Sequence, residues 1–196
     1  MSGLIHYNIN SYTSWSGLFD ALRAIPNFWD ESSPVQVKKG GITLTCDGNN
    51  HAISGYGNSV TLQASFYVSR APIAATEKGL VFGWEAGSKL YSVALNCDID
   101  GNWCGAYSAE STNGISINYF VADNITATNF AGGLIYESNP NTQIVDLACN
   151  KGNFICEDLR RVLYAPTHVI NYNGKLTMPN GEKYVKNGPF VLRYTE

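Results

Sequence analysis

Charge is what this chain has least of. Asp, Glu, Lys and Arg make up 15% of its 196 residues, against about 25% in an average soluble domain. The 13 Lys and Arg are outnumbered by 16 Asp and Glu and form no basic stripe. That argues against nucleic-acid binding, which needs clustered cations along a phosphate backbone. No apolar run approaches the roughly 20 residues of a membrane-spanning helix, so no membrane insertion is expected. The opening residues, MSGLIHYNINSY, have neither the basic start nor the apolar core of a secretory leader. The expectation is a chain made and kept in a cytosol, or released by something other than secretion. The sequon Asn124-Ile125-Thr126 carries no weight in that setting.

Catalytic signatures are missing as well. There is no G-x-S-x-G, no Walker loop and no G-x-G-x-x-G, and Gly55-Tyr56-Gly57 and Gly132-Gly133 read as turns or bulges. The carboxylates adjoin only at Asp30-Glu31 and Glu157-Asp158. Adjacency in sequence does not give the facing pair that glycoside hydrolysis requires. His6, His51 and His168 are scattered, none at a recognisable catalytic spacing from Ser, Cys or a carboxylate. A Cys–His pair assembled in space stays open. The chain therefore reads as a non-enzyme with no cofactor.

What is present is Asn, 20 residues of it, beside 19 Gly. Amides and tight turns suit a protein built from many short strands. Residues 14–29, SWSGLFDALRAIPNFW, carry the one clear helical period, with Trp15, Leu18, Phe19, Leu22 and Ile25 three and four apart. Ser14 or Ser16 can cap this helix, and Pro26 stops it near Ala24. From Val35 the period becomes two, with Gly40-Gly41, Asp47-Gly48, Gly87-Ser88, Asn180-Gly181 and Asn187-Gly188 as turn signals. Asn173-Gly174 reads as a further hairpin turn.

Residues 58–104 look like a single four-stranded sheet, with SVTLQASFYVS as one of its strands. Further strands are expected at 116–121, 134–136 and 144–147, and a short helical turn at 156–163, CEDLRRVL. The fold expected is mainly β: a single-domain antiparallel β-sandwich or jelly-roll-like fold over 1–196. It has one short N-terminal amphipathic helix within a 1–30 arm, and a β-meander of its own at 168–196.

The five cysteines include two pairs with six residues between them, Cys97/Cys104 and Cys149/Cys156. A two-residue turn at Asp100-Gly101 sets Cys97 opposite Cys104, close enough for a disulfide, and one at Gly152-Asn153 does the same for the second pair. An odd cysteine count without a leader favours free thiols packed as small hydrophobes. The spacing is too wide for half of a zinc site, so no metal is expected. Asp98, Asp100 and Asn102 start like a calcium loop, but the Gly and Glu that an EF-hand needs further on are absent. The run reads as a hairpin turn.

Aromatics number 24. Trp84, Trp103 and Tyr107 are the candidates for ligand contact, since Trp and Tyr on an open sheet face stack on sugar rings. Core or a subunit interface is nonetheless the favoured reading of the set, Trp84 lying within an apolar run, with sugar contact the second.

The helix WSGLFDALRAIPNFWDE leading into strands, the uncharged Asn- and Gly-rich sheet and the closing NYNGKLTMPNGEKYVKNGPFVLRYTE give the chain a layout. It resembles the small structural proteins of tailed bacteriophages, of the tail, baseplate, neck or capsid-decoration type. The resemblance implies a β-sandwich subunit assembled in a bacterial cytoplasm into a virion. Its partners would be copies of itself and other virion proteins. A carbohydrate-binding, lectin-like module that recognises a host-surface glycan is the alternative function.

Overall fold

A computed structural model of the chain describes residues 2–55, 57–98, 100–111, 114–120, 128–132, 144–146, 159–162, 174–178 and 180–196. They form three antiparallel sheets and one short helix, the mainly β sandwich that the turn spacing predicts. A central sheet runs in the order β1-β7-β8-β9-β10-β11-β12. Its strands are β1 (Leu4–Asn8), β7 (Ile73–Thr76), β8 (Gly79–Ala86), β9 (Lys89–Cys97), β10 (Trp103–Ser111), β11 (Gly114–Phe120) and β12 (Thr128–Gly132). An N-terminal sheet holds β2 (Glu31–Ser32), β3 (Gln36–Lys39), β4 (Ile42–Asp47), β5 (Asn50–Gly55) and β6 (Asn58–Thr61) in sequence order. A C-terminal sheet runs β13-β14-β17-β16-β15. It comprises β13 (Ile144–Asp146), β14 (Leu159–Val162), β15 (Gly174–Thr177), β16 (Lys183–Asn187) and β17 (Phe190–Tyr194).

The helix α1 spans Trp15–Arg23. Ser14 is its cap, taking the Gly17 N–H on its hydroxyl at 3.1 Å, and Ala24 ends it ahead of Pro26 as expected. Trp15, Leu18, Phe19 and Leu22 are its buried face. They join Leu44 and Ile53 of the N-terminal sheet and Leu80, Phe82, Trp84, Tyr91, Val93, Leu95, Trp103 and Tyr107 of the central sheet in one cluster. The opposite face of the same central strands carries small residues, Ala74, Val81, Ala94, Cys104 and Ala106. Val185, Phe190, Leu192 and Tyr194 of the C-terminal sheet close over them. Alternation therefore gives β8, β9 and β10 a bulky face and a small one, and each is covered by a different layer.

Close approach on the small face is fixed by glycine. A Cβ at Gly83 would stand 2.6 Å from both the Tyr91 carbonyl oxygen and Asn187 Oδ1, so the bare backbone lets β16 dock. Asn187 then accepts a hydrogen bond from Ser92 Oγ at 3.0 Å and donates to the Pro72 carbonyl at 2.8 Å.

Several expectations are corrected. Residues 58–104 do not make one sheet: β6 belongs to the N-terminal sheet and β7 to β10 to the central one. The expected strand SVTLQASFYVS ends at Thr61, because the Gln63 backbone is bound by side chains instead of a ladder. Trp15 Nε1 donates to its carbonyl at 3.2 Å, and its N–H donates to Tyr107 Oη at 3.0 Å. In the stretch expected to be a helical turn, Leu159–Val162 is strand, pairing with β13 on one side and β17 on the other. A turn so short is marginal alone, and two flanking ladders outweigh it. The C-terminal meander is not its own unit, since β14 and β13 extend it into a five-stranded sheet. The N-terminal arm contributes β1 to the central sheet.

The Gly40-Gly41 and Gly87-Ser88 signals are two-residue turns as read, joining β3 to β4 and β8 to β9, whereas at Asp47-Gly48 and Asn187-Gly188 the turn sits one residue later, on Gly48-Asn49 and Gly188-Pro189. At Asn180-Gly181 the connection is longer than two residues. Met178 N donates to the Glu182 carbonyl and Gly181 N to the Met178 carbonyl. The expected strands at 116–121 and 144–147 correspond to β11 and β13. The strand expected at 134–136, the Cys149/Cys156 pair, the Asn124 sequon and the Asn173-Gly174 hairpin turn, at its Asn173, lie outside the described residues.

Two charges are buried where the central and C-terminal layers meet. Glu110 is 1% and Lys186 2% exposed, and neither the carboxylate oxygens nor Lys186 Nζ has a hydrogen-bond partner. Burial pushes the Glu110 carboxyl above its ordinary range and pulls Lys186 down to about 8, each partly offset by the other's charge. A raised carboxyl binds its proton more tightly folded than unfolded, so its contribution to stability falls as pH climbs above its ordinary 4.5. A lowered amine releases its proton early, so its contribution grows between pH 8 and its ordinary 10.5. Relative to the double variant Glu110→Gln/Lys186→Met, wild-type stability should dip near neutral pH and recover in alkali. A double-mutant cycle by denaturant unfolding should give a coupling of about 1–3 kcal/mol; additive single effects would show that the charges are independent.

Candidate functional site

The three candidate ligand-contact aromatics all lie in the core. Trp84 is wholly buried, Tyr107 is 7% and Trp103 8% exposed. Trp84, Tyr91 and Tyr107 stack on one another at centroid distances of 5.6 to 6.2 Å. Gln63 locks the hydroxyl end, accepted at Tyr107 Oη and donating Nε2 to Tyr91 Oη at 3.2 Å. Burial pushes the Tyr107 phenol up to about 12, so it stays a neutral hydrogen-bonding group. Trp103 sits under the β3–β4 turn, edge-on to Phe28 at 5.7 Å. The Lys39 ammonium lies 5.2 Å from its ring centroid, beside Asp30 at 3.2 Å. These rings hold layers together and do not offer a face to a sugar.

The cysteine register is also corrected. Cys97 pairs with Trp103, and Cys104 with Asn96. The connection is one residue longer than a two-residue turn. Asp98 N donates to the Asn102 carbonyl at 2.8 Å and Gly101, at φ +89°, donates to the Asp98 carbonyl, which is a turn closed by a left-handed glycine. A one-residue slip puts the two thiols on opposite faces of the sheet. Cys97 joins the helix-side cluster and Cys104 the other, so the two are not bridged to each other, and Cys46 is a free thiol. Asp98 is spent on the same turn. Its Oδ1 accepts from the N–H groups of Asp100 and Asn102, and its Oδ2 from Asn102 Nδ2. The D-x-D-x-N run thus organises backbone.

The structure does bring one Cys–His pair together, the possibility that the sequence left open without naming its members. Asp47 pairs with Asn50 across Gly48-Asn49, which sets Cys46 directly opposite His51 on β4 and β5, on the same face of the hairpin. Both line a cleft of about 270 Å³ between this hairpin and α1, together with Trp15, Ser16, Phe19, Asp20, Pro34 and Gly48. His51 is 5% exposed, lies flat on Trp15 at 4.6 Å, and its Nδ1 has no hydrogen-bond partner. Trp15 in turn meets Trp84 at 4.3 Å, so the cleft floor is continuous with the aromatic stack.

Electrostatics set the chemistry there. Burial, then the carboxylates of Asp20 and Asp47, raise the Cys46 thiol above its ordinary range. Burial lowers the His51 imidazole. The pair is thiol and neutral imidazole, which is not the thiolate–imidazolium couple of a cysteine nucleophile. Among the described residues, no group of three or more His, Cys, Asp or Glu stands ready to hold a metal ion. No helix among them is long and apolar enough to cross a membrane.

Comparison with known proteins finds no matching family model, no matching curated protein and no matching solved structure.

Of Cys46, Cys97 and Cys104, only Cys46 is other than fully buried. An alkylating reagent on the native protein should label it first of the three. Its rate should keep climbing with pH above the ordinary thiol range. Rapid, pH-flat labelling of Cys46 at neutral pH would contradict a raised thiol.

Proposed function

We propose that this chain is a non-enzymatic structural subunit of a bacteriophage virion, assembled in the host bacterial cytoplasm. It would act as an oligomer in the tail, neck or capsid surface. The layout of helix, uncharged sheet and closing hairpins supports the virion setting. One observation carries the assembly role. No Asp, Glu, Lys or Arg occurs before Asp20, and this uncharged stretch forms β1, an end strand of the largest sheet. Within it Tyr7 is 36% and Ile9 67% exposed; among the described residues, Tyr67 at 67% and Val35 at 41% are the other large apolar residues left in solvent. A charge-poor exterior with protruding apolar side chains favours burial against another subunit.

The contact proceeds through side chains rather than strand addition. β1 is five residues long, its register shifts between Leu4 and His6, and the Asn8 side chain takes the Asn10 N–H at 2.8 Å. Such shortening and bulging keep an edge from pairing with a foreign strand. The glycan-binding alternative has lost its nominated aromatics to the core.

Multi-angle light scattering of the full chain should give a mass that is a multiple of 21.4 kDa, reduced in Ile9→Lys/Tyr67→Lys. A monomer with saturable signal on a glycan array would contradict the assembly reading and favour the alternative.

A further inference from the structure

We propose that the stack of His51 on Trp15 is a pH-sensitive latch. It holds α1 against the β4–β5 hairpin at neutral pH and lets the two part in mild acid. This inference is independent of the virion reading.

The latch joins separate elements. Trp15 is the first residue of α1, and His51 stands on β5. Their rings lie 13° from parallel with centroids at 4.6 Å. Trp15 also meets Trp84 at 4.3 Å and Phe66 at 5.7 Å, so the helix, the hairpin and the central sheet converge on one indole.

The chemistry of His51 makes this contact conditional. The residue is 5% exposed, and its Nδ1 is enclosed without a hydrogen-bond partner. On a neutral ring that carries its proton at Nε2, Nδ1 is only an unused acceptor. Protonation turns it into an N–H donor on a charged ring, and a buried charged donor with no acceptor is costly. Attraction of an imidazolium to the Trp15 face is the smaller term, because it leaves that N–H unbonded. Hydrating Nδ1 requires the ring to leave the indole. The adjoining cleft of about 270 Å³, lined by Ser16, Phe19 and Cys46 among others, is the weak line along which water enters.

No group that faces the ring supplies the acceptor. α1 presents Asp20, whose side chain is 67% exposed and bound to Arg23 at 3.2 Å. β4 presents the Cys46 thiol directly opposite and, at the hairpin end, the exposed Asp47. β6 and the residues after it as far as Phe66 carry no charge. The two carboxylates favour an imidazolium, but neither bonds Nδ1, and water screens both. Burial prevails and holds the imidazole below its ordinary 6.5. A lowered imidazole takes up its proton more readily unfolded than folded. The latch is therefore fully closed above pH 6.5 and is lost as pH falls through the folded value. Its release uncovers Trp15, Phe19 and Cys46.

Two measurements on the full, reduced chain test this. The His51 ring protons should titrate by NMR with a midpoint below 6.5. Labelling of Cys46 by dithiodipyridine, read by peptide mapping and normalised to the denatured chain at the same pH, should rise at least tenfold from pH 7 to pH 4.5. In His51→Gln, which keeps bulk against Trp15 and does not titrate, the rise should shrink below twofold. His6 on β1 also has a lowered imidazole and a nitrogen without a partner, so His6→Gln is the control and should keep the full rise. The NMR midpoint needs no variant and stands whether or not His51→Gln folds. A midpoint at or above 6.5, no rise in the wild-type chain, a rise that persists in a folded His51→Gln, or one lost in His6→Gln would overturn the latch.

Discussion

The structure depends on the two-faced burial of β8, β9 and β10. Each of these strands must satisfy the helix and the N-terminal sheet with one set of side chains, and the C-terminal sheet with the other. The bulky set, from Leu80 to Tyr107, and the small set, from Ala74 to Ala106, are therefore interleaved residue by residue. Interior packing tolerates little change of volume on either side. A large residue on the small face would push the C-terminal sheet away, and Gly83 marks where that tolerance reaches zero.

This constraint explains where the aromatics went. A strand sealed on both faces has no open surface on which Trp84 or Tyr107 could meet a ligand, so their polar atoms turn inward. Tyr107 and Tyr91 meet Gln63, and Trp15 meets the Gln63 carbonyl. Gln63 takes on that role because the chain is leaving one sheet for another. Recesses are then left to the margins of the layers, and the Cys46–His51 cleft is one of them.

Much of the fold was legible from turn chemistry and period. The helix, its cap at Ser14, its end before Pro26 and the hairpins at Gly40 and Gly87 follow from local rules. The layering was not legible, because β6 and β7 read as neighbours while residues 62–72 carry the chain between sheets. The cysteines show how narrow the margin is. Counting outward from Asp47-Gly48, the turn the sequence signals, pairs Cys46 with Asn49, whereas the turn falls on Gly48-Asn49 and pairs Cys46 with His51. The same counting from Asp100-Gly101 pairs Cys97 with Cys104 and fails, because that connection has one residue more. Length of a turn is a tertiary outcome there: Asp98 spends both carboxylate oxygens to stabilise the longer form. The charge-free run before Asp20 was readable from the first line of sequence, but only its place at the end of the central sheet gives it meaning.

Sealing of the central sheet is measured most directly by native-state amide hydrogen exchange, residue by residue. If β8, β9 and β10 are the shared foundation, their amides exchange only through global unfolding. Those of β3 to β5 and β15 to β17 open earlier, each layer as its own unit. Exchange of β8 to β10 in step with either flanking sheet, at a free energy below global unfolding, would contradict it.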